Sequence, residues 1–285
     1  MLYMRPDMLT VTPYSWERRT FNTSSTWTTT DIPLDRSHKN KISMHARRKI
    51  IKALVWLLAS ADEKVLYSQK TQRFHKFKIT FCTLTLPVQG NKSDTDIKKI
   101  LNSWLMNAKH EFGLNNYIWR AELQKRGVIH FHITSDCFMH WQRVRFTWNR
   151  LLAKHGIIER GGNPNSTDIH SVKKIKDIKR YLIKYFTKNG KDEREIKGRL
   201  WGCSRELSNI TSPNILLLRE QLSYFYDYIR KLGAAEGTGD FAVNYFLPKN
   251  FWSKFDNGRE KSIYLQQLKK LRSKSQMFMT ECYTV

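Results

Sequence analysis

The chain has 285 residues and carries 50 Lys+Arg against 25 Asp+Glu, a formal net charge of +25. With 40% hydrophobic and 13% aromatic residues it is no disordered basic tail, and its charge excludes most ordinary metabolic enzymes in favour of a polyanionic partner, usually nucleic acid. Cys82, Cys137, Cys203 and Cys282 are widely spaced without a CxxC pair, which argues against a disulfide framework and fits a reducing cytoplasm.

The first residues lack a secretory pattern, and the longest apolar run, Ala53 to Ala61, is far short of the roughly 20 residues that span a bilayer. A soluble, cytoplasmic protein with no membrane partner is expected, in the host cytoplasm if viral. Residues 1–42 include the Thr/Ser-rich stretch Phe21 to Thr30 and read as an extended arm. Ser43 is an N-cap for a basic amphipathic helix, assigned to 43–70, with Ile50, Ile51, Leu54, Leu57 and Leu58 on one stripe and Arg47, Arg48 and Lys52 off it. Phe77 to Leu86 is rich in β-branched and aromatic residues, reads as a strand and stops at Pro87. Asp96 to Phe112 has helical spacing closed by Gly113.

Tyr117 to Gln124 and Val128 to Thr134 read as two strands joined at Lys125-Arg126-Gly127, with Gly127 supplying the positive φ of a three-residue loop. That register sets Glu122 opposite His130 and puts Glu122, Gln124, His130 and His132 on one face, with Leu123, Ile129, Phe131 and Ile133 on the other. An isolated His-x-His pair is weak evidence. An opposing carboxylate turns it into a site for a divalent cation with positions left for phosphate oxygens. Cys137 and His140 follow closely, but the further ligands of a structural zinc site are absent.

Trp141 to His155 reads as a helix, Gly161 to Pro164 as a loop, Ser166 to Val172 as a short strand and Ile175 to Lys188 as a helix with the stripe Ile175, Ile178, Leu182, Phe186. On this last helix Tyr181, Lys184, Tyr185 and Lys188 share another face, and ammonium groups on that ridge make its burial costly. Nearby positive charge and a metal-polarised phosphate both favour attack by a phenolate. Asn214 to Leu232 reads as a long helix after Pro213, Gly233 to Gly239 as a flexible linker and Tyr264 to Lys274 as a basic helix. The order β, α, β-hairpin, α, β, α gives an α+β class with a mostly antiparallel sheet and flanking helices.

The Phe77 to Pro87 strand, Glu122 with His130-Phe131-His132, and Tyr181-Leu-Ile-Lys184-Tyr185-Phe-Thr-Lys188, in this order, resemble the three motifs of the HUH endonucleases. The two tyrosines four apart resemble in particular the two-tyrosine rolling-circle initiators of small single-stranded DNA phages, as does Arg199-Leu-Trp201-Gly202-Cys-Ser204-Arg205. The resemblance covers residues 75 to about 207 and implies an HUH/RRM-like nuclease domain at 71–210 with a helical C-terminal extension at 211–285. It implies His130, His132 and Glu122 as ligands of Mg²⁺ or Mn²⁺, with Gln124 the alternate. Tyr181 or Tyr185 would be the nucleophile, Lys184 and Lys188 would stabilise charge, and Arg199 and Arg205 would contact DNA.

The implied activity is site-specific nicking of single-stranded or melted origin DNA through a 5′-phosphotyrosine with a free 3′-OH, then rejoining. Two alternatives stay open: an HUH transposase or mobilisation relaxase, and a non-catalytic basic DNA-binding protein. No GxxxxGK[ST] occurs, so a host helicase would unwind and a host polymerase extend.

Overall fold

The computed structural model describes residues 1–12, 40–68, 71–88, 90–171, 178–188, 194–239, 242–256 and 258–272. In chain order the strands are β1 (Leu2–Met4), β2 (Met8–Val11), β3 (Lys64–Ser68), β4 (Arg73–Phe77), β5 (Thr80–Thr85), β6 (Tyr117–Leu123), β7 (Ile129–Ser135), β8 (Thr167–Ser171), β9 (Trp201–Cys203), β10 (Asn214–Ile215), β11 (Ala235–Thr238) and β12 (Val243–Phe246). The helices are α1 (Met44–Ser60), α2 (Asp94–Phe112), α3 (Trp141–Lys154), α4 (Ile178–Thr187), α5 (Arg205–Ser208), α6 (Arg219–Lys231), α7 (Phe251–Lys254) and α8 (Gly258–Arg272). The class is α+β with antiparallel sheets. Two compact units divide the chain: His38–Ile210 with Lys269–Val285, and Met1–Ser37 with Thr211–Leu268.

The larger unit is built on a five-stranded antiparallel sheet in the order β8-β5-β7-β6-β9. Its centre is the β6–β7 hairpin, where Gly127 takes φ +77° and the Gln124 N–H donates to Val128 O at 2.8 Å. Ile129, Phe131 and Ile133 leave one face of β7 to join a core with Leu101 and Trp104 of α2 and Trp148 and Leu152 of α3. Helix α2 is capped at both ends: Ser93 Oγ accepts from the Asp96 N–H at 3.1 Å, and Gly113 adopts the left-handed conformation at φ +68°. The opposite sheet face is left to α4, which packs on α1 and buries Leu182 and Phe186.

Several sequence expectations change here. The helix assigned to 43–70 stops at Ser60, because Lys64 to Ser68 pairs with Arg73 to Phe77 as a hairpin. The strand expected over Phe77 to Leu86 is therefore split between the end of β4 and β5. Ser43 does cap α1, accepting from the Ala46 N–H, and Arg47 and Arg48 are exposed.

In the smaller unit, the start of the expected 1–42 arm is a hairpin in a second antiparallel sheet of order β10-β1-β2-β12-β11. Leu2, Met4 and Leu9 are fully buried, so the alternating apolar residues at this end are core. The extension expected to be helical is mixed. Asn214 and Ile215 pair with Tyr3 and Leu2, and α6 starts only at Arg219. The Gly-rich segment read as a linker is strand β11, paired with β12 from Ala235↔Phe246 to Thr238↔Val243. A Cβ on Gly237 would lie 3.0 Å from the Phe246 ring, so the glycine lets that ring lie against the strand. Arg230 on α6 holds Glu236 of β11 at 2.6 Å. The Thr/Ser-rich stretch, Ile175 and the end of the last basic helix lie outside the described residues. No helix among the described residues is long and apolar enough to cross a membrane.

Candidate metal and nucleophile site

Strand pairing sets Glu122 of β6 opposite His130 of β7, and His132 between Arg120 of β6 and Thr83 of β5. Side-chain alternation sends all five to the face opposite the Phe131 core. His132 Nε2 lies 3.0 Å from His130 Nε2 and 3.5 Å from Glu122 Oε2, and His130 Nε2 is 3.9 Å from the same oxygen. One ligand atom from each residue falls within 4.8 Å of the others. Thr83 Oγ1 engages His132 Nδ1 at 3.1 Å, which leaves Nε2 as the nitrogen turned into the cluster.

These donors fit a divalent cation. Two ligand atoms at right angles around a small ion, each at about 2.1 Å, are about 3 Å apart, which suits the imidazole pair. Two imidazoles and one carboxylate leave the remaining positions to water and phosphate oxygens.

Electrostatics keep the ligands in their binding forms. Burial holds His132 below the usual imidazole value, keeping it neutral. Burial pushes Glu122 up, but His130, His132 and Arg120 together outweigh it and hold the carboxyl well below the usual range. Arg120 Nε and Lys188 Nζ both approach Glu122 Oε1, at 3.0 and 3.1 Å.

Helix α4 is docked by the same arginine. The buried guanidinium donates from Nη1 to Phe186 O at 2.6 Å and Tyr185 O at 3.3 Å, and from Nη2 to Lys188 O at 2.6 Å. Carbonyls at a helix end lack intrahelical partners and carry the negative end of the dipole, so a cation is favoured there. This docking turns Tyr185 onto the cluster, its ring edge-on to His132 at 5.0 Å and to Phe81 at 5.3 Å, with Lys188 Nζ 5.1 Å from its centroid. Burial, the Glu122 carboxylate and Tyr181 push the Tyr185 phenol well above its ordinary value, with Glu122 in hydrogen-bonding reach of its hydroxyl.

Tyr181 stacks on Tyr185 at 6.1 Å and is 37% exposed. Lys184 is exposed and is not brought into the cluster. Arg199 and Arg205 are exposed before and after β9 and are likewise not brought in. Gln124 turns away, its Oε1 accepting from Arg126 Nε at 3.1 Å.

Arg120, Thr83 and Phe81 escaped the sequence reading. A signal for the arginine was present: Arg120 interrupts Ile118-Trp119-Arg120-Ala121 at the alternation position of Glu122. Thr83 and Phe81 depend on which strand lies beside β7, which local periodicity does not reveal.

Residues 79–190 match a family model of replication-associated proteins, the ORF2 group. The match runs from the start of β5 past α4, so it takes in the triad and both tyrosines. It is consistent with a rolling-circle replication initiator, and such a replication-associated protein binds DNA. No curated protein and no solved structure matches the chain.

Proposed function

We propose that the chain is a replication initiator that nicks single-stranded origin DNA by tyrosine transesterification. The observation that carries this is the convergence of the Tyr185 ring with His132 and Glu122 on one sheet face. His130, His132 and Glu122 would hold Mg²⁺ or Mn²⁺, which when bound offsets the Glu122 charge and polarises the scissile phosphate.

The chain's own residues do the rest. Glu122, kept ionised by Arg120 and Lys188, accepts the hydrogen bond of the Tyr185 hydroxyl and orients it. The phenolic oxygen bonds to phosphorus as the 3′ oxygen leaves. The phenol's proton passes to solvent and the leaving oxygen gains one, giving a 5′-phosphotyrosine and a free 3′-OH. One phosphodiester replaces another, so no ATP is consumed and the reverse reaction rejoins strands. Tyr181, stacked behind Tyr185, is placed to serve as the second nucleophile. Lys184, Arg199 and Arg205, exposed outside the cluster, are assigned to the DNA backbone. Unwinding and extension would fall to a host helicase and polymerase.

The test is incubation with end-labelled single-stranded origin DNA and Mn²⁺, followed by denaturing electrophoresis. A covalent adduct is expected from the wild type and none from the Tyr181→Phe, Tyr185→Phe double variant. No adduct from the wild type would overturn the reaction and leave a non-catalytic DNA-binding protein.

A further inference from the structure

Helix α3 faces the core with Val144, Trp148, Leu151 and Leu152, on the sheet side opposite His130 and His132. Its outer side, with the loop at 160–163, forms a groove of about 800 Å³ that no Asp or Glu lines. Two helical ridges run along it. In one, Trp141 and Arg145 are four residues apart, the guanidinium 5.0 Å from the ring centroid; in the other, Phe146 and Arg150 repeat the spacing at 5.8 Å, with Lys154 one turn on. Arg160 supplies a further cation from the loop wall.

The rings are offered to solvent, Trp141 at 45% and Phe146 at 64% exposure, although large aromatics are costly to leave wet. The wall is fixed: Asn149 Nδ2 donates to Asn163 Oδ1 at 3.0 Å and to Pro164 O at 3.1 Å. Arg145 is fixed with it, its Nη2 donating to Asn165 Oδ1 at 2.5 Å, so the cation is held beside the Trp141 ring without a carboxylate to neutralise it.

We infer that this groove is a second, non-catalytic binding site for single-stranded nucleic acid, with unpaired bases stacked on Trp141 and Phe146 and phosphates on Arg145, Arg150, Lys154 and Arg160. Interleaved flat rings and cations without carboxylates are what a single strand requires, since every base offers a π-face and every linkage a charge. Paired bases could not stack there. The groove lies across the sheet from the triad, so a segment held in it is not the segment being cut. The inference rests on the reading of the chain as acting on single-stranded DNA, and assigns it a way to retain a strand away from the nick.

The test uses the full chain carrying Tyr185→Phe and an oligothymidylate of roughly 16 nucleotides with 5-iododeoxyuridine. Irradiation and peptide mapping should place the cross-link on Trp141 or Phe146. The added pair Arg150→Glu, Arg160→Glu should weaken binding at least ten-fold and reduce the salt slope by about 1.4, at about 0.7 for each phosphate no longer neutralised. Cross-links confined to other peptides, an unchanged salt slope, or equal competition by polyglutamate would each overturn the groove. In the separate adduct assay, a missing adduct with the cross-link retained sinks the nicking reaction alone. An adduct without the cross-link sinks the groove alone.

Discussion

Arg120 of the sheet donates to the main-chain carbonyl of Phe186 at 2.6 Å, one residue beyond the tyrosine that faces the triad. The same guanidinium reaches Glu122 at 3.0 Å, so one buried side chain sets both the charge of the ligand and the position of the nucleophile's helix.

Arg120→Met should therefore cost more than a surface charge. Removing one member of a buried ion pair costs about 3–5 kcal/mol, and three carbonyls lose a donor as well. Arg120→Lys keeps the charge but cannot fork across three oxygens, so a smaller loss of about 1–3 kcal/mol is expected. Denaturant midpoints measure both. Arg120 acts through Tyr185, so adduct formation by the lysine variant should fall more than its Mn²⁺ affinity.

The two tyrosines should differ in the first cleavage. Tyr185 lies on the cluster while Tyr181 is stacked behind it. Tyr185→Phe should slow single-turnover adduct formation by about 100-fold or more, since an ångström-scale misplacement of a reacting group costs that much. Tyr181→Phe should stay within a few-fold. Equal losses would place the two hydroxyls on an equal footing.

The hairpin carrying the triad was legible because its register follows from one glycine and the alternation around it: Gly127 takes the positive φ, and Glu122 does lie opposite His130. The second sheet was not. Thr10 Oγ1 donates to Asn244 Oδ1 at 2.8 Å across a separation of 234 residues, and nothing local to either strand names its partner. Gly237 read as flexibility because glycine is permissive in isolation, whereas here it makes room for Phe246. Tyr181, Lys184, Tyr185 and Lys188 share a face by spacing, yet only Tyr185 and Lys188 reach Glu122, because α4 is docked by its C-terminal end.

Gly202 tests how the edge strand is seated. A Cβ there would sit 2.7 Å from Trp119 Nε1, closer than side chains tolerate. Gly202→Ala must displace β9 or the Trp119 ring, and overpacking of this kind costs about 1–3 kcal/mol. The melting temperature should fall, while Gly258→Ala, which meets no atom within 4 Å, should leave it nearly unchanged.

Metal affinity should follow the triad and not its neighbours. Glu122→Gln removes the anionic ligand, and titration calorimetry with Mn²⁺ should show at least a ten-fold loss. Altering the Thr83 contact to His132 Nδ1 by Thr83→Val should cost about 10-fold to 100-fold, the usual range for groups that orient a ligand. Full affinity in Glu122→Gln would remove that residue from the metal site.

Acid should destabilise the metal-free protein in two stages. Burial lowers the His132 value from 6.5, so between the folded and unfolded values the unfolded chain binds more protons, and stability falls as pH drops below about 6.5. Glu122 is lowered from 4.5 by His130, His132 and Arg120 against the opposing effect of burial. Its contribution is complete above that value and is lost as pH falls through the depressed folded one. Both terms have the same sign, so unfolding free energy measured in chelator should decline from near neutrality and steepen below about pH 4.5. His132→Asn should remove the first stage and keep the second. A decline that still begins near pH 6.5 in that variant would assign the neutral-range titration to another imidazole.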